Sequence, residues 1–164
     1  MTASGTGNVG AGPGTIALGA DEAGYELKSR ISRFLIELGY DVADYGVHDH
    51  TPTLYPDIAL EVARGIVDGL HQRAILICGT GIGMAITANK VPGVRAAVCH
   101  DPLSAERSRK SNDCQVMALG SRIVAPELAI RLVQIWLTSE FAGGRSLPKV
   151  ARIAEIEQLG RARP

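Results

Sequence analysis

An apolar run that ends in a cysteine and breaks at once into glycines, Ile75-Leu76-Ile77-Cys78-Gly79-Thr80-Gly81-Ile82-Gly83-Met84, leaves few folds open to this chain. Continuous Ile and Leu suit a strand buried on both faces, and such strands belong to parallel sheets. Gly79, Gly81 and Gly83 alternate through the following turn, where they have no packing purpose but allow a ligand to approach the backbone closely. The segment from Met84 through Ala88 is helix-like. Strand, tight loop and helix start would point several N–H groups at one place, a setting that welcomes negative charge. A thiol at the strand end shares that field, which favours thiolate. Cys78 is therefore a candidate base or nucleophile beside an oxyanion site, although a lone Cys closing a strand is more often a small buried hydrophobe.

The rest of the chain repeats the strand–helix alternation. Strands are predicted at Thr15–Ala20, Asp41–Val47, Arg73–Cys78, Val94–Cys99 and Val116–Leu119. The half-polar second strand suits a sheet edge. Between them, helical spacing of Leu27, Ile31, Phe34, Leu35 and Leu38 predicts a helix closed by Gly39. Ala59, Val62, Ala63, Ile66 and Val67 mark another from about Pro56 to Gly69, and shorter ones are expected at Met84–Asn89 and Leu103–Lys110. Ala125–Thr138 reads as a strong helix with Leu128, Leu132, Ile135 and Trp136 inward, and a last helix runs from about Leu147 to Leu159. This order implies α/β architecture: one doubly wound, Rossmann-like domain, residues 15–160, with a five-stranded parallel sheet and a C-terminal helix. Met1–Gly14 is glycine-rich and lacks the regions of a signal peptide, so it is read as a disordered leader. Ligands in such sheets sit beyond the carboxyl ends of strands where strand order reverses. With the order 2-1-3-4-5, that point lies between strands one and three, and Asp21-Glu22 would face Cys78-Gly79-Thr80.

Composition narrows the function. Seventeen basic residues balance seventeen acidic ones and aromatics make up 4%, which argues against a nucleic-acid partner. No apolar run is long enough for a membrane span. Cys78, Cys99 and Cys114 are an odd count without metal or disulfide spacing, which suits a reducing cytoplasm and no metal site. The glycine loop lacks the Gly-Lys-Ser/Thr of a phosphate-binding P-loop, and Met84 stands where a dinucleotide fingerprint needs its last glycine. No arginine lies between Cys78 and Asn89 to serve a thiol phosphatase. A Cys–His hydrolase stays open, with His48, His50, His71 or His100 as partner, each more often a surface residue.

The string Ile77–Met84, together with Ala88–Ala96, Gly19-Ala20-Asp21, Ala23-Gly24, Tyr55-Pro56, Ser108-Arg109, Asn112-Asp113, Leu119–Arg122 and Phe141–Arg145, resembles the ribose-5-phosphate isomerase B family. That family includes the galactose-6-phosphate isomerase subunits, and the likeness covers nearly all of the chain after Thr15. The resemblance implies a cofactor-free aldose–ketose isomerase of sugar phosphates acting through an enediolate. It implies Cys78 as the base, Thr80 as an aid to proton transfer at the oxygens, and the N–H groups of Gly79, Gly81, Ile82 and Gly83 as holders of the enediolate. Asp21, Glu22, Tyr55, Ser111 and Asn112 would meet substrate hydroxyls. Arg122, Arg145 and Lys149 would bind phosphate, with Lys149 replacing the usual arginine. It also implies a homodimer, or a tetramer, whose subunits share each active site.

Two residues depart from the pentose isomerases. Glu22 replaces the usual His after the Asp, and Ser111 replaces the His credited with opening the sugar ring. A tetrose 4-phosphate has its terminal oxygen blocked and forms no stable ring, so it needs no ring-opening group. A four-carbon substrate, D-erythrulose 4-phosphate or D-erythrose 4-phosphate, is the expectation. Ribose 5-phosphate isomerisation is the alternative. A non-catalytic sugar-phosphate binding subunit is a third reading, against which Cys78 and Thr80 argue.

Overall fold

The computed structural model describes residues 14–161; of the leader expected at Met1–Gly14, all but Gly14 lies outside them. Five strands alternate with helices: β1 (Thr15–Ala20), α1 (Tyr25–Glu37), β2 (Asp41–Asp44), α2 (Tyr55–Val67), β3 (Arg73–Cys78), α3 (Ile82–Ala88), β4 (Ala96–Val98), α4 (Pro102–Lys110), β5 (Val116–Gly120), α5 (Pro126–Leu137) and α6 (Leu147–Arg161). Single 3₁₀ turns at Glu22–Gly24 and Gly144–Ser146 precede α1 and α6. All strand pairs are parallel. The predicted β1 and β3 match residue for residue, because both are uninterrupted apolar runs bounded by turn residues.

The strand order is β2-β1-β3-β5-β4, which corrects the expected 2-1-3-4-5. β5 is buried at every residue, whereas all three residues of β4 are half-buried. The strand that can hide both faces takes the inner place, and the shorter one takes the edge. β2 lies on the opposite edge, as its polarity predicts, and is four residues long rather than seven.

Side-chain alternation divides the core into two layers. Ile16, Leu18, Ile75, Ile77, Met117 and Leu119 meet Leu27, Ile31 and Leu35 of α1 and Leu132, Val133 and Trp136 of α5. On the other face Ala17, Ala74, Leu76, Cys78 and Val116 meet Ile58, Ala59, Val62 and Ala63 of α2 and Met84 and Ala88 of α3. Burying each large aliphatic of β3 contributes about 1.5–3 kcal/mol. Cys78 thus belongs to the α2/α3 layer. Three residues expected inward lie outward: Leu38 and Val67 stand at or beyond helix ends, and Leu128 yields its place to Ala129 one residue on. α6 has no buried residue, and Leu147, Ile153, Ile156 and Leu159 are exposed along it.

Candidate active site

β1, β3 and β5 end side by side. Ala20 pairs with Ile77, and Cys78 pairs with Gly120. Beyond these ends the chain turns three times within a small volume. After β1, Asp21 caps the 3₁₀ turn, with Oδ1 accepting the Gly24 N–H at 3.1 Å. Gly24 is obligatory there, since a Cβ would lie 2.7 Å from the Ile77 carbonyl oxygen. That close approach holds the Asp21 turn against the end of β3.

After β3, the loop turns on Gly81, whose φ of +76° is a conformation glycine adopts without strain. A Cβ at Gly81 would also sit 2.9 Å from the Leu119 carbonyl carbon. The Gly81 N–H donates to Cys78 Sγ at 3.1 Å, and the Ile82 N–H donates to Thr80 Oγ1 at 3.3 Å. Cys78 is only 5% exposed, yet its sulfur faces the amide loop rather than the core helices alone. Thr80 is exposed. Two of the four amides expected to hold an enediolate are thus already aimed at the two side chains expected to move protons. Tyr55, at the start of α2, lies where a side chain on Gly83 would be, so the glycine makes room for the ring.

After β5, Ser121 N–H donates to the Cys78 carbonyl at 2.9 Å and Arg122 N–H to that of Gly79 at 3.1 Å. The Arg122 side chain runs along the loop, 3.5 Å from where a Cβ on Gly79 would be. Ser121 Oγ donates to the Ala23 carbonyl at 2.7 Å, which joins the β5 turn to the β1 turn.

Charge fits this placement. Burial holds the Asp21 carboxyl above the usual carboxylate range; the Gly24 N–H and, more weakly, Arg122 pull it down. Glu22 lies below its ordinary value, first through its own backbone N–H and then through Thr53, whose N–H it accepts at 3.0 Å. Glu22 therefore pins the Thr53 loop beside the site, a contact the sequence does not announce.

The remaining expected residues lie elsewhere on the chain. Ser111 ends α4, and Asn112 Nδ2 donates to the Arg107 carbonyl at 3.2 Å, so both stand at the amino end of the sheet, opposite Cys78. Arg145 and Lys149 are exposed on the second 3₁₀ turn and the first turn of α6. Ala142 N–H donates to the Lys110 carbonyl, which docks the segment leading to them on that same far end. One chain brings together Asp21, Glu22, Tyr55, Cys78–Gly83 and Arg122, and separates them from Ser111 and Asn112.

The histidines do not pair with the cysteine. His48 lies near Asp44, His50 near Glu26, and His71 against the Tyr45 hydroxyl at 2.6 Å. His100 Nε2 instead accepts the Gly120 N–H at 2.9 Å. A cavity of about 460 Å³ between Thr15, His71, Arg73 and Arg109 opens at the amino end of the sheet. Its arginines serve the fold: Arg73 donates to the Leu137 carbonyl at 2.7 Å and Arg109 to that of Cys114 at 2.8 Å. Among the described residues no helix is long and apolar enough to cross a membrane.

A family model described as Ribose/Galactose Isomerase matches residues 16–153. The chain belongs to that family. It is 52% identical over 147 residues to D-erythrulose-4-phosphate isomerase of Pectobacterium atrosepticum, covering 87% of this chain and 95% of the relative. It is 50% identical over 146 residues to Ribose-5-P isomerase B of Listeria innocua, covering 89% and 99%. The solved structure of ribose-5-phosphate isomerase B of Clostridium thermocellum superimposes with a TM-score of 0.88 at 46% identity, over 89% of this chain and 99% of that one. This member of the ribose/galactose isomerase family is an aldose–ketose isomerase of sugar phosphates.

Proposed function

We propose that the enzyme interconverts D-erythrulose 4-phosphate and D-erythrose 4-phosphate without a cofactor, with Cys78 as the base. The observation that carries the chemistry is the sulfur at the end of β3 meeting the Gly81 N–H at 3.1 Å, beside Thr80. A thiolate at Cys78 takes the proton from carbon 1 of the ketose, and its electron pair becomes the carbon–carbon double bond of an enediolate. The negative charge that gathers on the carbonyl oxygen needs donors in place before it forms, and the amides of Gly79, Gly81, Ile82 and Gly83 line the turn where it arises. Thr80 passes the hydroxyl proton from the first oxygen to the second. The new thiol returns its proton to carbon 2, which yields the aldose. Asp21 and Asn112 hold hydroxyls, while Arg122, Arg145 and Lys149 neutralise the phosphate.

The four-carbon substrate rests on Ser111. Relatives named for tetrose and for pentose substrates are almost equally similar, so overall identity does not choose between them. A serine at the position where pentose isomerases of the family usually carry the ring-opening His suits a substrate that is never cyclic. Glu22 fits as well: its carboxylate binds the Thr53 N–H and leaves the phosphate to the cations.

The site is completed by a second copy of the chain. Ser111 and Asn112 stand at the far end of the sheet from Cys78, so their joint action needs a neighbour that offers its amino end to this carboxyl end. α6, with its exposed Leu147, Ile153, Ile156 and Leu159, supplies an apolar surface for that pairing.

Steady-state rates on D-erythrulose 4-phosphate and on ribose 5-phosphate test the reading. The expected result is a higher kcat/KM on the tetrose, with loss of about 10³-fold or more in Cys78→Ala. A preference for ribose 5-phosphate overturns the substrate, and a Cys78→Ala variant with parental turnover overturns the mechanism.

A further inference from the structure

We infer that His100 is a positioning residue for the isomerisation, acting through Gly120 on the loop that carries Cys78 and Thr80. The imidazole stands where β4 ends, on the same side of the sheet as the reacting loop, and its Nε2 accepts the Gly120 N–H at 2.9 Å. Gly120 is the last residue of β5 and the register partner of Cys78. It is also the residue on which Thr80 rests: a Cβ there would lie 2.8 Å from both Cα and the carbonyl carbon of Thr80. The next two residues reach back to the other strand, Ser121 N–H to the Cys78 carbonyl and Arg122 N–H to the Gly79 carbonyl. The sulfur-bearing strand end, the threonine backbone and the arginine therefore all take their positions from the last residue of β5 and the two that follow it. The segment that follows β4 reaches that stretch through the His100 side chain.

The bond also fixes the protonation of the ring. Nε2 can accept only while it carries no proton, so the proton of the neutral imidazole is on Nδ1. Burial favours that neutral form, against the opposing pull of Asp101. A hydroxyl or an alkyl group at position 100 could not reach the Gly120 amide, whereas a glutamine carbonyl could. The hydrogen bond of His100 runs to the Gly120 backbone, so the ring acts through the loop's position. Its effect is on geometry: a loop displaced by about 1 Å costs on the order of 10²-fold in rate.

The inference rests on the β3–α3 loop being the reacting centre. The experiment measures kcat and KM on D-erythrulose 4-phosphate and ribose 5-phosphate for the full-length parent, His100→Ala, His100→Asn and His100→Gln, together with hydrogen exchange at the Gly120 amide. Ala and Asn are too short to reach the amide, and kcat is expected to fall about tenfold or more in both, with KM within about twofold of the parent and faster Gly120 exchange. Gln should restore most of kcat and the slow exchange. Should His100→Ala fail to fold, the Asn and Gln pair carries the same contrast. Parental kcat in the Asn variant, a Gln variant no better than Asn, or a rise in KM with kcat intact overturns the inference. A Cys78→Ala enzyme with parental turnover overturns the reading of the loop itself, whereas an inactive Cys78→Ala enzyme with indifferent His100 variants overturns this inference alone.

Discussion

Gly120 and Thr80 touch backbone to backbone, closely enough that no side chain fits between them. Gly120→Ala would place its methyl 2.8 Å from Thr80 Cα and from Ile123 Cγ1. The isoleucine can turn aside, but the Thr80 backbone cannot, so the loop must move. The expected outcome is a loss of about 10²-fold in kcat with the far-ultraviolet circular dichroism unchanged, read by steady-state kinetics and spectroscopy on one preparation.

A second prediction follows from the separation of Ser111 and Asn112 from Cys78. Cys78→Ala and Asn112→Ala subunits should each be nearly inactive alone. Mixed one to one and refolded together, they should regain up to about a quarter of parental activity, because random pairing into shared-site dimers leaves that share of sites intact. No recovery on mixing would mean that each chain builds its site unaided.

Substrate choice should be transferable. On the proposed reading, Ser111→His supplies a ring-opening group and Glu22→His the second histidine expected of a pentose isomerase. The pair should raise kcat/KM on ribose 5-phosphate about tenfold, with the rate on D-erythrulose 4-phosphate unchanged or lower. Glu22→His alone releases the Thr53 N–H, so its separate effect should be a modest loss on both sugars. The check is the ratio of the two specificity constants across the three variants.

Asp21 should cost stability where it is ionised. Its carboxyl is raised above the unfolded value of 3.8, chiefly by burial. The folded state therefore holds the proton more tightly, and this stabilising contribution is present below pH 3.8 and lost as pH rises through the folded value. Asp21→Asn keeps an oxygen for the Gly24 N–H and removes the buried charge, so Tm at pH 7.5 should rise by a few degrees while kcat falls. A lower Tm in Asp21→Asn would show that the charge, through Arg122, holds the site together.

Much of the fold is legible in the sequence alone. β1 and β3 stand out as short apolar runs bounded by turn residues, and the loop after Cys78 stands out because three glycines alternate directly after a buried strand; two of them, Gly81 and Gly83, also prove to be packing requirements, against Leu119 and Tyr55. Strand order was not readable: β4 and β5 are both short and apolar, and only the burial of Val116–Gly120 on both faces puts β5 inside. The role of His100 was hidden for the same reason, since its bond to Gly120 exists only once β5 is the neighbour of β4. Glu22 shows a different limit. Its residue type says that it is charged, and nothing in a linear string says that a backbone amide 31 positions away will meet it.

The inner place of β5 also sets a timetable for synthesis. β4 joins the sheet through β5 and no other strand, so a nascent chain that has not yet released Val116–Gly120 from the ribosome has an edge with no partner and a β3 lacking one neighbour. The sheet closes only once β5 has emerged, and until then the apolar side chains of Ile75 and Ile77 on β3 are the surface a chaperone would meet.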